Sequence, residues 1–360
     1  MDGFEPRWQS GSLPDSQSSV GAEEPECARR WVQTDQTEVC RPALRALLRT
    51  RPARDVPEVD VVAVAARDRA RAQAFASKHG IQRVHDTYED VLADSEVDAV
   101  YIPLPNGLHG VWMKRALAAG KHILCEKPFT ANAEEAAEVV AAAEGTGLVV
   151  MEAFHWRYHP MAERVLSIVS DGEIGALRHV EGALCFPLLK RGDIRWRADL
   201  AGGALLDAGC YAVHMVRTVA GGEPEVVDAE AKVTRGGVDR FLTGQLRFPD
   251  GATGRVTCSF LSRHVLSIRL RAVGTDGELS VFNPLMPRFF GSIRVRSRGR
   301  RRRERAARDS TYQHQLEAFV AAVLDGAPFP TTAEDAVRNM AVIDDLRKAA
   351  GLAPARPSAV

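Results

Sequence analysis

The stretch GKHILCEKP, residues 120–128, decides the fold prediction for this chain. A glycine ends the preceding helix, the apolar run His122–Cys125 predicts a buried strand, and Glu126, Lys127 and Pro128 follow directly. Open α/β sheets bind their ligands at the carboxyl ends of parallel strands. The proline fixes the backbone just after the lysine. We therefore expect Lys127 at a ligand-binding crevice; the alternative is a surface lysine after an edge strand.

A second motif is GGALLDAGCYAVH, residues 202–214. The apolar segment from Ala204 to about Val219 contains no proline and predicts a helix. Asp207, Tyr211 and His214 are spaced four and three residues apart, which places them on one face of that helix. The other faces are apolar, so we expect the polar face to border a reactive cleft. The alternative is a buried tyrosine that is hydrogen-bonded to the aspartate.

The predicted pattern of strands and helices changes once along the chain. From residue 59 to residue 152 strands alternate with helices, which predicts a parallel, doubly wound Rossmann-type sheet. From residue 161 onward, strands with period-two alternation predict a mostly antiparallel sheet. The predicted fold class is α/β, with a second, α+β domain that has an open-faced sheet. The predicted divisions are a disordered segment (residues 1–30), a Rossmann domain (31–152) and a C-terminal substrate and dimerisation domain (153–360).

Both motifs resemble those of the glucose–fructose oxidoreductase, inositol dehydrogenase and MocA (Gfo/Idh/MocA) family, from about residue 55 to the end. The second motif has one glycine fewer than the family pattern. The resemblance implies hydride transfer between nicotinamide C4 and a carbinol carbon of a sugar or cyclic diol. It implies that Lys127 contacts cofactor and substrate, that Tyr211 donates or accepts the proton, and that Asp207 orients Tyr211 or binds substrate hydroxyls. We expect Lys127 to lower the pKa of the phenol.

Within that family the chain is most similar to the dihydrodiol dehydrogenase and D-xylose 1-dehydrogenase branch, because it has a tyrosine at position 211 and an arginine at position 67. The family's second domain commonly forms dimers through the exposed face of its sheet. The resemblance therefore implies a homodimer.

The end of the second predicted strand bears on the choice of cofactor. NAD-preferring Rossmann domains place an acidic residue there, but this chain has Ala66 followed by Arg67. A guanidinium favours a 2′-phosphate, so we expect NADP, with NAD still possible, and Arg71 one turn later as a second phosphate contact. The alternative for Arg67 is a salt bridge to Asp68 or Glu89.

Further cofactor contacts are implied by resemblance alone. The turn that contains Pro105, Asn106 and His109 resembles the family's Pro-x-x-His turn, which contacts the ribose side of the cofactor. Glu126, beside Lys127, is placed in the same site. For Asn106, ordinary helix capping is an equally good explanation.

Three residues are predicted to bind substrate. Glu152 and Arg157 follow the last Rossmann strand in a polar and aromatic stretch, residues 151–160, at the junction between the domains. We expect one or two side chains of this stretch to face the cleft. His214 shares the predicted helical face with the catalytic candidates.

The glycine-rich phosphate loop of a Rossmann domain is missing from its expected place. No glycine occurs between Gly21 and Gly80, although Ala43–Leu48 still resembles the helix that follows such a loop. We expect the first strand slot to be empty or filled by a poorly packed, polar segment from residues 31–40. The reading frame at the 5′ end is wrong, the loop is lost, or a loop without glycine replaces it. Loss of the loop leaves a second hypothesis, a non-catalytic ligand-binding or regulatory protein on the same fold.

Composition excludes several other classes of protein. Lys plus Arg and Asp plus Glu both number 47, so charge predicts neither nucleic-acid nor membrane binding. The basic run 294–308 is expected to be a solvated loop; the alternative is a polyanion site. No apolar run approaches a membrane span, and the first residues do not resemble a secretory signal. The six scattered cysteines predict a reduced, cytoplasmic protein without a metal site.

Overall fold

The computed structural model describes residues 56–190, 192–261 and 266–359, and the backbone of residues 30–35. Two sheets organise these residues. The first has six parallel strands in the order β3-β2-β1-β4-β5-β6, the order of a Rossmann fold. Its strands are β1 (Arg30–Asp35), β2 (Asp60–Ala66), β3 (Arg83–His85), β4 (Ala99–Ile102), β5 (His122–Cys125) and β6 (Val150–Glu152).

Capping side chains and glycines set the ends of the helices in this half. Asp68 caps the first helix, Gly80 closes it with a positive φ of 73°, and Asn132 caps the fourth through a bond from Glu135 N. The helices are α1 (Arg69–His79), α2 (Tyr88–Ala93), α3 (His109–Ala118) and α4 (Ala133–Ala143). The predicted Rossmann-type half is confirmed.

The first strand slot is filled. The backbone of Arg30–Asp35 lies between β2 and β4 and pairs in parallel with both, which excludes the empty slot, the first of the two expected outcomes. The reason is that two flanking strands present unpaired N–H and C=O groups, which a third backbone satisfies whatever its side chains are. The packing of its side chains, the predicted helix Ala43–Leu48, the phosphate-loop region and residues 1–29 lie outside the described residues.

The second sheet has eight strands in the order β14-β13-β12-β11-β7-β10-β9-β8. All its pairs are antiparallel except β7 with β10, as predicted for a mostly antiparallel sheet. Its strands are β7 (Leu177–Cys185), β8 (Glu225–Val233), β9 (Asp239–Arg247), β10 (Thr253–Ser259), β11 (Ser267–Gly274), β12 (Gly277–Phe282), β13 (Ser292–Ser297) and β14 (Arg300–Arg305). The remaining helices are α5 (Pro160–Ser170), α6 (Cys210–Ala220), α7 (Pro287–Phe290), α8 (Thr311–Asp325) and α9 (Ala333–Ala349).

The basic run also departs from its prediction. Instead of a loop it forms the hairpin β13–β14 at the edge of the second sheet, where Arg294 lies opposite Arg303 and Arg296 opposite Arg301. Buried Ile293 on β13 anchors this hairpin against β12, and charged side chains on an edge strand disfavour further pairing. Within the described residues, no helix combines the length and apolar character that a bilayer crossing demands.

Candidate active site

The two sequence motifs, eighty residues apart, meet at one cavity. It has a volume of about 400 Å³ and lies where the carboxyl end of β5 faces the start of α6, a size that suits a small molecule. Lys127 and Glu126 enter from one side, and Asp207 and Tyr211 enter from the other. The predicted catalytic residues are therefore brought together at the junction of the two sheets.

The cavity has both polar and apolar side chains in its lining. Its remaining polar side chains are Asn106, His155, Arg195 and Tyr312. Its apolar wall is formed by Leu104, Leu184, Phe186, Ile194, Leu200, Leu266, Ile268, Leu285 and Met286.

Lys127 is held by Asp207. Its Nζ donates to the backbone oxygen of Asp207 at 2.8 Å and lies 3.3 Å from Oδ1 of the same residue. Burial lowers the pKa of Lys127, but the surrounding negative charges, led by Asp207, raise it above its ordinary value overall. The guanidinium of Arg195 lies 3.6 Å from Oδ2 of Asp207 and bonds Asp193 at 3.0 Å. Lys127 is therefore a permanent cation with a fixed position.

Tyr211 faces this lysine. The ammonium lies 5.2 Å from the centre of the phenol ring, which contacts Phe154 edge-on at a centroid distance of 5.2 Å. Burial raises the pKa of Tyr211 well above its ordinary value. The expectation that Lys127 lowers this pKa is wrong here, because the ammonium is directed at Asp207 and desolvation dominates. Among the described residues the phenol oxygen has no hydrogen bond to Asp207, so the alternative of a tethered structural tyrosine is not supported.

Local sequence explains how Asp207 and Tyr211 reach the cavity. Gly203 has a φ of 132°, and a Cβ at this position would lie 2.2 Å from Oδ1 of Asp239. That aspartate accepts a hydrogen bond from Leu205 N at 2.8 Å and so begins the helical segment. Residues Leu205–Gly209 form a π-helical turn before α6. Such turns are frequent at functional sites, and this one changes the angle between Asp207 and the residues that follow.

Two family models match this architecture. A model described as "Oxidoreductase family, NAD-binding Rossmann fold" matches residues 40–154, and the GFO/IDH/MocA C-terminal domain matches residues 162–280. D-xylose 1-dehydrogenase (NADP(+)) 2 of Haloferax volcanii is 40% identical over 83% of this chain and 92% of that protein. This chain belongs to the Gfo/Idh/MocA family of oxidoreductases.

Other relatives of this oxidoreductase agree. Trans-1,2-dihydrobenzene-1,2-diol dehydrogenase of Sus scrofa is 37% identical over 63% of this chain and 67% of that protein. A 3-ketoreductase from Actinomadura kijaniata, solved with NADP and TDP-benzene, superimposes with a TM-score of 0.81 at 28% identity, covering 89% of this chain and 97% of that one. The predictions of fold class, family and an NAD(P)-dependent oxidoreductase are confirmed.

His214 is not in the substrate cavity of this oxidoreductase. It is 2% exposed, its Nδ1 accepts a hydrogen bond from Trp156 Nε1 at 3.1 Å, and its Nε2 lies 3.4 Å from Asp335. This placement does not support the prediction that it binds substrate. Three residues beyond Tyr211 is about 60° around an α-helix, which turns His214 from the cleft toward α9.

Glu152 and Arg157 are also not among the cavity residues. Glu152 is 1% exposed, and burial raises its pKa well above the ordinary value; neither carboxylate oxygen has a partner among the described residues. Burial lowers the pKa of Arg157. Instead, His155 of the same stretch lines the cavity. One side chain of the stretch thus faces the cleft, as expected, but it is His155, the first residue of the short helical turn His155–Tyr158, rather than Glu152 or Arg157.

The predicted phosphate contacts stand at the end of β2. Arg67 directly follows β2, is exposed, and forms no ion pair with Asp68 or Glu89 in the part of the chain that the structure describes. Asp68 caps α1 and Glu89 pairs with Arg115 instead. Nη2 of Arg71 is buried, with no hydrogen-bond partner among the described residues. The described part of the chain thus places two guanidinium groups at this strand end.

The turn after β4 divides into a residue that lines the cavity and residues that support it. Asn106 lines the cavity and donates to Ala201 O at 2.9 Å. His109 is fully buried, with Nδ1 and Nε2 each 2.7 Å from a carbonyl oxygen, of Pro128 and Leu104 respectively. Burial lowers the pKa of His109 to about 4, so a neutral ring donates to one carbonyl at a time. With both nitrogens next to protein carbonyls, His109 is placed to support the turn rather than to contact a cofactor; Pro105 is buried beside it.

Glu126 lies between the cavity and the first sheet. It accepts a hydrogen bond from the Tyr101 hydroxyl at 2.5 Å, and burial raises its pKa. A carboxyl in this setting is suited to hydrogen bonding with a hydroxyl-bearing ligand.

Sequence reasoning missed three cavity residues, His155, Arg195 and Tyr312. His155 stacks on Tyr312 at 4.2 Å, and burial lowers its pKa to about 3. Tyr312 begins a helix more than 150 residues downstream, and no local pattern indicates this contact. For Arg195, the charged and aromatic run DIRWR, residues 193–197, just before the diglycine, was an available signal.

Across residues 56–190, 192–261 and 266–359, no group of three or more His, Cys, Asp or Glu side chains is arranged to hold a metal ion.

Proposed function

We propose that this chain is an NADP-dependent dehydrogenase or reductase that acts on a CH–OH group of a sugar or cyclic diol. The observation that carries the proposal is the placement of Lys127 and Tyr211 in one cavity, with the ammonium 5.2 Å from the phenol ring. Neither residue is near the other in sequence, and each ends up facing the same space at the carboxyl end of β5.

The chain's part in the reaction is orientation and proton handling, while bound nicotinamide accepts or supplies the hydride. Tyr211 keeps its proton in the buried site, so the phenol would donate that proton to the substrate oxygen during reduction. In the reverse direction, the phenolate left by this donation would accept the proton of the substrate hydroxyl. The fixed charge of Lys127 stabilises negative charge that develops on that oxygen. Asp207 holds Lys127 in place and is close enough to Arg195 to hold both cations.

The cofactor site is proposed from the end of β2. Arg67 and Arg71 would hold a 2′-phosphate, and the buried Nη2 of Arg71, which has no hydrogen-bond partner among the described residues, supports an anion there. Asn106, Glu126 and Lys127 would contact the ribose next to the nicotinamide. The relative from Haloferax volcanii is named for NADP(+), which supports NADP over NAD.

The substrate is proposed to be a ring with hydroxyls on one side. The polar residues His155, Tyr211 and Asp207 would meet the hydroxyls, and the wall of Leu184, Phe186, Ile268 and others would meet carbon. D-xylose and trans-1,2-dihydrobenzene-1,2-diol are the substrates in the names of two relatives. Glu152, Arg157 and His214 have no part in this proposal.

The assembly and location are further proposals. The exposed face of the second sheet, where Phe282 is 54% exposed and lies opposite Arg269, would form a homodimer. The four described cysteines are free and buried, which supports a reducing, cytoplasmic location. The functional division would fall after residue 152, with residues 31–152 holding the cofactor and residues 153–360 holding the substrate.

Titration of the purified chain with NADPH and NADH tests this function. NADPH should bind more tightly, and the complex should then reduce or oxidise D-xylose or a trans cyclic diol. If neither cofactor binds, the non-catalytic hypothesis, raised by the missing glycine loop, replaces the enzyme. If both bind equally, the proposal for Arg67 and Arg71 fails but the oxidoreductase stands.

A further inference from the structure

The segment that follows α9, residues 352–359, has no regular structure but is bonded along its length. Nε of Arg347 donates to the carbonyl of Ala353, and Nδ2 of Asn132 donates to the carbonyl of Ala355, each at 2.8 Å. Ala355 is 9% exposed and joins the main hydrophobic core. Asn132 caps α4 of the first half, whereas Arg347 belongs to the last helix. The segment therefore contacts both halves of the molecule.

Ser358 makes the most direct of these links. Its backbone N–H donates to the carbonyl of Gly107 at 2.7 Å, and its hydroxyl donates to the carbonyl of Asp199 at 2.6 Å. A Cβ on Gly107 would lie 2.2 Å from Oγ of Ser358. A residue without a side chain is therefore what allows the segment to approach this turn so closely.

The two carbonyls belong to two different elements that contribute to the cavity lining. Gly107 lies in the turn 105–108 after β4, and Asp199 lies in the loop 193–202 that supplies Arg195 and Leu200 to the cavity. The amide of Asn106 joins the same turn to the same loop through the carbonyl of Ala201 at 2.9 Å. Ser358 is thus a second connection, parallel to the first, outside the cavity.

We propose that residues 352–358 form a strap that holds the loop 193–202 against the turn 105–108, and that Ser358 positions this wall of the substrate cavity. Ser358 does not line the cavity and acts through the loop. The strap is a property of the fold; only its kinetic consequence rests on the proposed function.

Hydrogen exchange in the full-length chain tests the strap without any substrate. The loop amides of Arg197, Gly202 and Gly203 are bonded within the loop, to carbonyls of Ile194, Arg197 and Arg195. In a chain that ends after Gly351 they should exchange at least about tenfold faster than in wild type, and in Ser358→Ala about two- to tenfold faster, the scale of one lost hydrogen bond. Arg356→Ala, on the exposed neighbour two residues away, is the matched control and should leave these rates unchanged.

The distribution of exchange decides between a strap and general stabilisation. Amides of β7 and α6 should keep their wild-type rates in Ser358→Ala, whose backbone N–H is retained. If the loop amides of the shortened chain exchange at the wild-type rate, the proposed strap is overturned. It is also overturned if exchange becomes faster to the same extent over the whole chain. Unchanged exchange in Ser358→Ala alone overturns the role of its hydroxyl.

A kinetic measurement adds the consequence for the site. In Ser358→Ala the KM for substrate should rise about two- to tenfold while kcat stays within about twofold, because the loop binds and does not react. A fall in kcat with an unchanged KM contradicts a positioning role. If wild type turns over no sugar or diol, the proposed function fails, and the exchange experiment still decides the strap.

Discussion

Helix α6 and the turn before it have two polar sides, one at the rear and one at the cleft. The two sides differ in how many of their hydrogen-bonding groups are paired within the protein. At the rear, Arg217 bonds Glu223 twice at 2.7 Å, Asp335 at 3.0 Å and Asn339 at 3.2 Å, and both ring nitrogens of His214 face protein partners. At the cleft, the Tyr211 hydroxyl has no hydrogen bond within the described residues. The hydrogen-bonding groups at the rear are thus paired within the protein, whereas the Tyr211 hydroxyl in the cleft can still bond a ligand.

The difference shows why perturbed groups alone do not identify a site. Burial shifts the pKa of Tyr211 upward and that of His214 downward, although the two lie three residues apart. Only Tyr211 borders a cavity, so geometry rather than the shift separates a reactive group from a structural one.

Tyr211→Phe is the sharpest way to test the cleft side. Loss of the proton donor should lower kcat by about 10²- to 10⁴-fold, the usual contribution of a general acid or base. The affinity for NADPH should not change, because no cofactor contact is removed. Steady-state kinetics and an NADPH titration measure both quantities.

Two controls accompany this variant. Tyr158→Phe removes a buried hydroxyl that bonds Thr331 away from the cavity and should keep kcat within a few-fold. Lys127→Ala should harm both turnover and NADPH affinity. An active Tyr211→Phe enzyme would remove this tyrosine from the mechanism.

Asp335→Asn tests the rear side. Breaking a buried ion pair costs about 3–5 kcal/mol of unfolding free energy, while turnover of the remaining folded protein should persist. Asp345→Asn, an exposed residue on the same helix, should change stability by less than about 0.5 kcal/mol. Denaturant unfolding measures both; equal stability of the two variants would show that the rear cluster is dispensable.

The free energy of unfolding at low pH provides a second test of the same variant. Burial raises the pKa of Asp335, but His214 and Arg217 lower it below its ordinary value overall. A carboxyl whose pKa is lower in the folded state stabilises the fold at pH values above its unfolded pKa of about 3.9. This contribution is lost as the pH falls below that value. The variant should therefore lose less stability than wild type between about pH 5 and pH 2.

Arg67→Ala tests whether the end of β2 belongs to the same functional side. It should weaken the binding of NADPH by about 10- to 100-fold, or roughly 1.5–3 kcal/mol, because a charge-assisted phosphate contact is lost. The binding of NADH should change much less. Lys78→Ala, an exposed cation at the other end of α1, is the matched control. Equal losses for the two cofactors would remove Arg67 from the site.

Glu152→Gln carries the smallest expected effect. The pKa of Glu152 is raised by burial, so the fold is penalised as the pH rises above about 4.3, where the unfolded carboxyl ionises. The neutral variant escapes this penalty, and its melting temperature should match wild type near pH 4 and exceed it by a few degrees at pH 8. A lower melting temperature at pH 8 would show that the ionised carboxylate has a partner.

Much of the fold could be predicted because local patterns carry it. The strand His122–Cys125 has its predicted bounds, since apolar runs and glycine stops act within a few residues. The first strand could not be predicted, because the pairing of its backbone comes from β2 and β4 rather than from its own side chains.

The sequence by itself determined that Lys127 ends a parallel strand and that Asp207 and Tyr211 share a helical segment, because each statement depends on neighbours in the chain. Only the tertiary structure decided that these residues face one another, that His155 and Arg195 join them, and that His214 turns to Asp335. Those contacts join elements tens to hundreds of residues apart, and close packing of the two sheets, with one π-helical turn, sets the direction of each side chain.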